Sequence, residues 1–258
     1  MSLSQDRMVE SCVDSGLTVM EIYSRLYSRY GAQGWWPGEN SYEVIVGTIL
    51  TQGVSWINAE KALINMKEAG CWDLLSLNEI LHVELADLIR PSLYYNNKAV
   101  TLKAFAEYVC LNHDSDLVCF FDNGCVYVRE SLLKIRGIGP ETADDIMVYA
   151  AGFPSFVVDT YTQRILTRLG LVGVNHTGDY YWMQRLFHAC VPHDIEIFNE
   201  YLRLTKIDIA CPSSINSFTS SIICLFLSAS NIFNLIFLTR DISLEYSEAI
   251  VLISFSKE

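Results

Sequence analysis

The stretch LLKIRGIGPETADDIMVYAAGFPSFVVDTYTQRILTRLG, residues 132–170, gathers the residue types that could do chemistry. Gly137 and Gly139 flank Ile138 between two short helical patterns. Lacking a Cβ, the backbone at such glycines can approach a partner closely, and Ile138 can pack between the helices. The N–H groups of residues 139–142 then open a helix N-terminus, where an anion such as a phosphate is favoured. Alone, a Gly-x-Gly also marks an ordinary tight turn. Asp159, near the far end, directly precedes a helical pattern. A carboxylate there caps the first turn, and a carboxylate can also stabilise developing positive charge. Glu141 is either a second acid or a favourable charge in a first helical turn.

Flat and basic groups surround this stretch. Trp35, Trp36 and Trp56 offer aromatic faces for stacking, or they fill a core. Trp35 and Trp36 are adjacent beside Pro37, so one helical face does not explain both. Gln52 reads as a polar group at a helix edge, and Asn96 and Lys98 read as the solvated start of another helix, or else as support for a binding pocket or its approach. Lys134, Arg136, Arg164 and Arg168 lie around the turn, opposed by Glu130, Glu141, Asp144 and Asp145. That positive patch is modest, and backbone N–H groups must carry much of any phosphate contact. The whole chain has 18 Lys and Arg against 30 Asp and Glu, a formal charge of -12. It therefore has no general attraction for polyanions.

The groups above must be positioned by helices. Apolar residues recur at three- and four-residue spacing over 17–30, 42–67, 76–89, 97–109, 131–135, 140–150, 159–169, 180–190 and 194–204, which predicts an all-α protein. At 258 residues, 51% of them hydrophobic, the chain can bury a sizeable core. Its first twenty residues lack a basic region leading into an apolar core, so secretion is not expected. None of its eight cysteines forms a Cys-x-x-Cys pair, and no metal site is expected. From residue 209 to 239 there is no charge, and residues 221–239 approach the length of a membrane span. Asn231, Asn234 and the hydroxyls of Ser221, Ser228, Ser230 and Thr239 weigh against one, so membrane association is not expected.

The run around Ile135-Arg136-Gly137-Ile138-Gly139, followed by Val157-Val158-Asp159-Thr160, resembles the helix-hairpin-helix plus Gly/Pro-Asp signature of the DNA glycosylase superfamily that includes endonuclease III. Thr48-Ile49-Leu50-Thr51-Gln52 and Asn199-Glu200-Tyr201 are further landmarks, and the match spans about residues 18–201. Within the superfamily the chain is most similar to the 3-methyladenine DNA glycosylase III group. The residues that carry this are Trp35-Trp36-Pro37, Leu50-Thr51-Gln52 with Trp56, Ile89-Arg90-Pro91-Ser92 with Tyr95-Asn96-Asn97-Lys98-Ala99, and Gly137 through Asp144.

The resemblance implies a two-lobed helical fold with an atypical C-terminal tail. Its parts are a central barrel over 40–151, a second lobe from 1–39 plus 152–205, and a divergent hydrophobic tail over 206–258. It implies a DNA N-glycosylase that removes alkylated purines, with Asp159 as the catalytic carboxylate. Trp35, Trp36 and Trp56 would form the base pocket, and Gln52 would fill the gap left by the flipped base. Arg136, Gly137, Ile138, Gly139 and Thr142 would bind DNA. Where relatives that cleave the strand carry a nucleophilic lysine, this chain has Glu141, which cannot form a Schiff base, so the enzyme is expected to be monofunctional. Damaged duplex DNA and a downstream endonuclease for abasic sites are the implied partners, with no stable protein partner. The expected compartment is cytoplasmic or nucleoid-associated, or nuclear in a eukaryote.

Two departures stand against the family pattern. The four-cysteine loop that holds a 4Fe–4S cluster in many relatives is missing, because Cys190, Cys211 and Cys224 are separated by 20 and 12 residues. No cofactor is expected. The lysine expected after Asn199-Glu200-Tyr201 also has no counterpart in register, Lys206 being displaced. A shifted reading frame or a retained intron near residue 202 would replace a cluster loop by unrelated sequence, which resequencing gene and transcript across that junction tests; a lineage-specific ending without a cluster is the alternative. Three alternatives remain at the level of sequence. They are a glycosylase for another damaged or mismatched base, a helix-hairpin-helix DNA-binding protein without catalysis, and a helical scaffold without a nucleic-acid role.

Overall fold

The structure, a computed structural model, describes residues 19–32, 38–168, 171–172, 176, 178–192 and 197–198. The chain divides into residues 1–207 and 208–258, and all described residues belong to the first unit. All regular secondary structure among them is helical: α1 Val19–Tyr30, α2 Ser41–Leu50, α3 Trp56–Glu68, α4 Leu74–Glu79, α5 His82–Leu88, α6 Tyr95–Asn112, α7 Leu117–Phe121, α8 Cys125–Lys134, α9 Pro140–Asp145, α10 Thr160–Arg168 and α11 Tyr180–Cys190. A 3₁₀ turn, Arg90–Ser92, precedes α6, and a π-helical turn, Ile146–Ala150, follows α9.

Local chemistry sets the helix starts. Asn40 Oδ1 accepts from Glu43 N at 3.0 Å, and Asp73 with Ser76 forms a reciprocal capping box at α4. Asp116 and Asp179 cap α7 and α11 in the same manner. The predicted helix over 42–67 is in fact two. Thr51 Oγ1 bonds back to Gly47 O and Thr48 O at 3.0 Å, and Gly53 turns the chain at a φ of +65° before α3 begins. The predicted helix over 76–89 also splits, at Ile80. There Lys103 Nζ, from α6, gathers Asn78 O at 2.5 Å, Ile80 O at 2.7 Å and Leu77 O at 3.3 Å. A lysine 23 residues away thus satisfies helix-end carbonyls, which no local pattern announces. Helix α7 escapes periodicity because it is only five residues long. Helix α8 begins at Cys125, well before the expected residue 131. The expected helix over 194–204 and the whole tail lie outside the described residues, apart from a helical pair at 197–198.

The main core runs from Tyr42 to Met147, with Ile45, Ile49, Met66, Leu85, Leu102, Phe105, Val109 and Ile146 at its heart. Burial of each such side chain stabilises by roughly 1.5–3 kcal/mol. A second apolar group forms around Phe156, which stacks on Phe187 at 3.6 Å and meets Phe198 edge-on at 5.5 Å. Helix α1 packs against α11, so the N-terminal and later parts of the chain are brought together while the segment between them builds the main core. The result is a two-lobed all-helical fold with a helix-hairpin-helix between α8 and α9. Among the described residues no helix is long and apolar enough to cross a membrane.

Candidate active site

The hairpin follows from a few positions. After α8, Ile135 turns extended and Gly137 adopts a φ of +90°. A Cβ at Gly137 would strike Thr101 Oγ1 on α6, so glycine is required both by conformation and by space. Ile135 and Ile138 are buried in the main core. Ile138 N also donates to Ile135 O at 3.1 Å, so this residue anchors the turn rather than facing a ligand with its side chain. Gly139 caps α9 from an extended conformation, and Pro140 takes the first helical position. Lys134, Arg136, Gly137, Gly139 and Glu141 are exposed around this turn.

Gln52 lies beyond the end of α2 and reaches the hairpin helix, donating from Nε2 to Thr142 Oγ1 at 2.6 Å. Two residues expected to face DNA are therefore joined to each other, 90 positions apart in the chain. Trp56, the first residue of α3, is partly buried against the main core. Trp35 and Trp36 lie outside the described residues, as does the side chain of Arg168.

Asp159 is 3% exposed and caps α10, its Oδ1 accepting from Thr162 N at 2.8 Å. The capping role is thus present in the structure.

Asp144 overturns one sequence-based expectation. Instead of opposing phosphate from the surface, it is 0% exposed on the inner face of α9. Arg129 Nε meets its Oδ1 at 2.7 Å, and an Arg129 terminal nitrogen meets Oδ2 at 2.8 Å, a bidentate pair. Ser155 Oγ donates to Oδ1 at 2.6 Å, while the Tyr180 hydroxyl and Gln184 Nε2 donate to Oδ2 at 2.8 and 2.9 Å. Burial, and then the neighbouring Asp144 carboxylate, push the Tyr180 hydroxyl far above the ordinary tyrosine range, so it stays a donor. The bond to Asp144 likewise raises Arg129. No spacing rule pointed to Asp144, because its partners lie 11 to 40 residues away.

Lys98 overturns another. It is buried at the base of α6, donating to Leu50 O at 2.8 Å and Ser92 O at 2.5 Å, and is not a solvated helix start. Burial lowers its pKa to about 8. Asn96 is exposed, as expected. Lys98 thereby ties the end of α2, next to Gln52, to the turn that presents Leu93 and Tyr94. Both are exposed and have positive φ, 53° and 45°, a conformation costly for non-glycine residues. The sequence signal that could have found this pair is its place just after Arg90-Pro91-Ser92.

Among the described residues no group of three or more His, Cys, Asp or Glu side chains is placed to hold a metal ion. Cys12, Cys211 and Cys224 lie outside those residues. The donor set of the sequence, with three late and widely spaced cysteines, does not fit a four-thiolate cluster.

Comparison with known proteins agrees with this geometry. The profile of the HhH-GPD superfamily base excision DNA repair protein matches residues 46–181. A protein of Methanocaldococcus jannaschii named as a DNA repair glycosylase is 42% identical over 71% of this chain and 83% of its own. Endonuclease III of Sulfolobus acidocaldarius is 31% identical over 52% of this chain and 58% of its own. Among solved structures, H. pylori 3-methyladenine DNA glycosylase (MagIII) bound to 1,N6-ethenoadenine superposes with a TM-score of 0.65 at 26% identity, over 74% of this chain and 95% of that one. An endonuclease III–DNA complex superposes with a TM-score of 0.63 at 18% identity over 74% of this chain and 83% of that one, a likeness of fold.

Proposed function

The chain belongs to the HhH-GPD superfamily of base excision DNA repair proteins, and from that membership we propose that it is a monofunctional DNA N-glycosylase for alkylated purines such as 3-methyladenine. The observation that carries this is the pairing of a buried carboxylate, Asp159, with a helix-hairpin-helix whose first turn exposes Glu141 where lyases present an amine. The likeness to a 3-methyladenine DNA glycosylase supports the substrate class.

In this mechanism an alkylated purine already carries positive charge and leaves readily once the N-glycosidic bond stretches. Positive charge then builds on the sugar, and the Asp159 carboxylate, held by Thr162 N, stabilises it while water attacks the anomeric carbon. The hairpin N–H groups and Arg136 hold phosphate, Gln52 occupies the space vacated by the flipped base, and Trp56 with Trp35 and Trp36 contacts that base. Residues 40–151 form the central barrel and 1–39 with 152–205 the second lobe. Glu141 leaves the abasic product uncleaved, for a separate endonuclease.

The test is single-turnover base release from duplexes containing 3-methyladenine, 7-methylguanine, hypoxanthine or uracil, with wild type and Asp159→Asn side by side. Release of methylated purines without nicking is expected, slowed in the variant by about 10²–10³-fold, with thermal stability nearly kept because asparagine also caps a helix. No release from any duplex by folded protein would make the chain a DNA-binding protein without catalysis. Release of uracil alone would assign it to another base.

A further inference from the structure

Residues 152–159 have no regular secondary structure, so Asp159 is placed by α10, which it caps from outside, and by whatever holds the segment that leads to it. Phe156, Val157 and Val158 are buried in that segment, and side-chain hydrogen bonds add direction to their apolar contact. Ser155 Oγ donates to Asp144 Oδ1 at 2.6 Å. Gln184 Nε2, on α11, donates to Phe156 O at 2.8 Å as well as to Asp144 Oδ2 at 2.9 Å. Phe156 N donates to His188 Nε2 at 2.9 Å, which requires that nitrogen to be unprotonated. Asp144 is the hub, since it takes five hydrogen bonds from Arg129 on α8, Ser155 in the segment, and Tyr180 and Gln184 on α11. It sits on α9 only three residues after Glu141, within the hairpin helix itself.

A buried ion pair gains little stability over a well-packed apolar substitute, so the strength of the pair does not explain it. Direction does. Every bond in the network has a preferred length and angle, and together they fix three elements against one carboxylate.

We propose that Asp144 is a positioning residue for Asp159: by clasping Ser155 and Gln184 to the hairpin helix, it fixes the separation between the phosphate-holding turn and the carboxylate that meets the sugar. The inference rests on Asp159 being the reacting carboxylate, as under Proposed function. DNA gripped at the hairpin then meets Asp159 at a set distance, and a small misplacement is enough to slow chemistry by about 10²-fold.

The experiment compares full-length wild type with Ser155→Ala, which removes one hydroxyl and leaves the Arg129–Asp144 pair, and with Asp144→Asn. Each is scored for single-turnover release from alkylated duplex, normalised to the titrated active fraction, and for Kd on duplex carrying a non-hydrolysable abasic-site analogue. Release is expected to slow about 10-fold in Ser155→Ala and further in Asp144→Asn, with Kd changed by less than about twofold, a split that lost stability alone does not produce. Should Asp144→Asn fail to fold, Ser155→Ala carries the test. A wild-type rate in Ser155→Ala overturns the proposal, as does a slower rate matched by equally weakened DNA binding. Wild-type protein that releases no base overturns the parent function first, so the two failures are told apart.

Discussion

Helix α6 and the segment that ends at Asp159 are both buried, but the segment adds a set of directional hydrogen bonds to its apolar contacts. In α6 the side chains of Ala99, Leu102, Phe105, Ala106 and Val109 are all 0% exposed, and apolar contact holds them. Such contact is non-directional and spread over many weak pairs. Over 155–159 Phe156, Val157 and Val158 are also buried, and four single hydrogen bonds add to that contact: Ser155 Oγ donates to Asp144, Phe156 N to His188, Gln184 Nε2 to Phe156 O and Thr162 N to the Asp159 carboxylate. The first arrangement supplies stability and tolerates small adjustments. The hydrogen bonds of the second add about 1 kcal/mol each in net stability and fix a direction. On the proposed function, the main core keeps the molecule folded and the hydrogen-bonded segment carries Asp159 to the hairpin.

Substitutions can break that comparison from either side. The largest effect on stability is expected from Phe105→Ala, which opens a cavity in the main core and costs about 3–5 kcal/mol. Urea unfolding measures it, while base release per folded molecule should stay at the wild-type value; a large loss of rate at full folding would show that α6 also aims the site.

Gly137→Ala attacks the seam between the regions, adding a clash with Thr101 to an unfavourable φ. Stability is expected to fall by about 1–3 kcal/mol. Thr101→Ala in the same chain should recover the part due to the clash and leave about 1 kcal/mol from the backbone. A double-mutant cycle by thermal unfolding checks this, and strict additivity would deny the contact.

The smallest effect is a slope. The folded-state pKa of Lys98 is about 8, below its unfolded value, so the native state gives up its proton first as pH rises. The unfolded chain then binds more protons between pH 8 and about 10.5, and stability from this group rises across that window by at most about 1.4 kcal/mol per pH unit. Lys98→Met removes the slope, so the stability difference, wild type minus variant, should grow with pH. A constant difference would mean that Lys98 keeps an ordinary pKa despite its burial.

What was legible in the sequence was local. The positive φ at Gly137, the cap at Asp159 and the helix over 180–190 each depend on conformation or partners within a turn or two, and the structure reproduces them, while the close approach of Thr101 to Gly137 is not local. Helix breaks at Thr51 and Ile80 were misjudged because apolar spacing continues through them, while a back-bonding threonine and a distant lysine end the helices. At the site, Gln52 and Thr142 were picked out separately, and nothing in their spacing announced that one donates to the other.

The sequence alone therefore determined the helical class, the hairpin, the family resemblance and the absence of a four-cysteine loop, since all of these are patterns of residue type along the chain. Only the tertiary structure decided that Asp144 and Lys98 are interior. A charged side chain is buried only where donors or acceptors converge on it, and here they come from up to 40 and 48 residues away. Convergence of that kind is a property of the folded chain, because it exists only once the helices have packed.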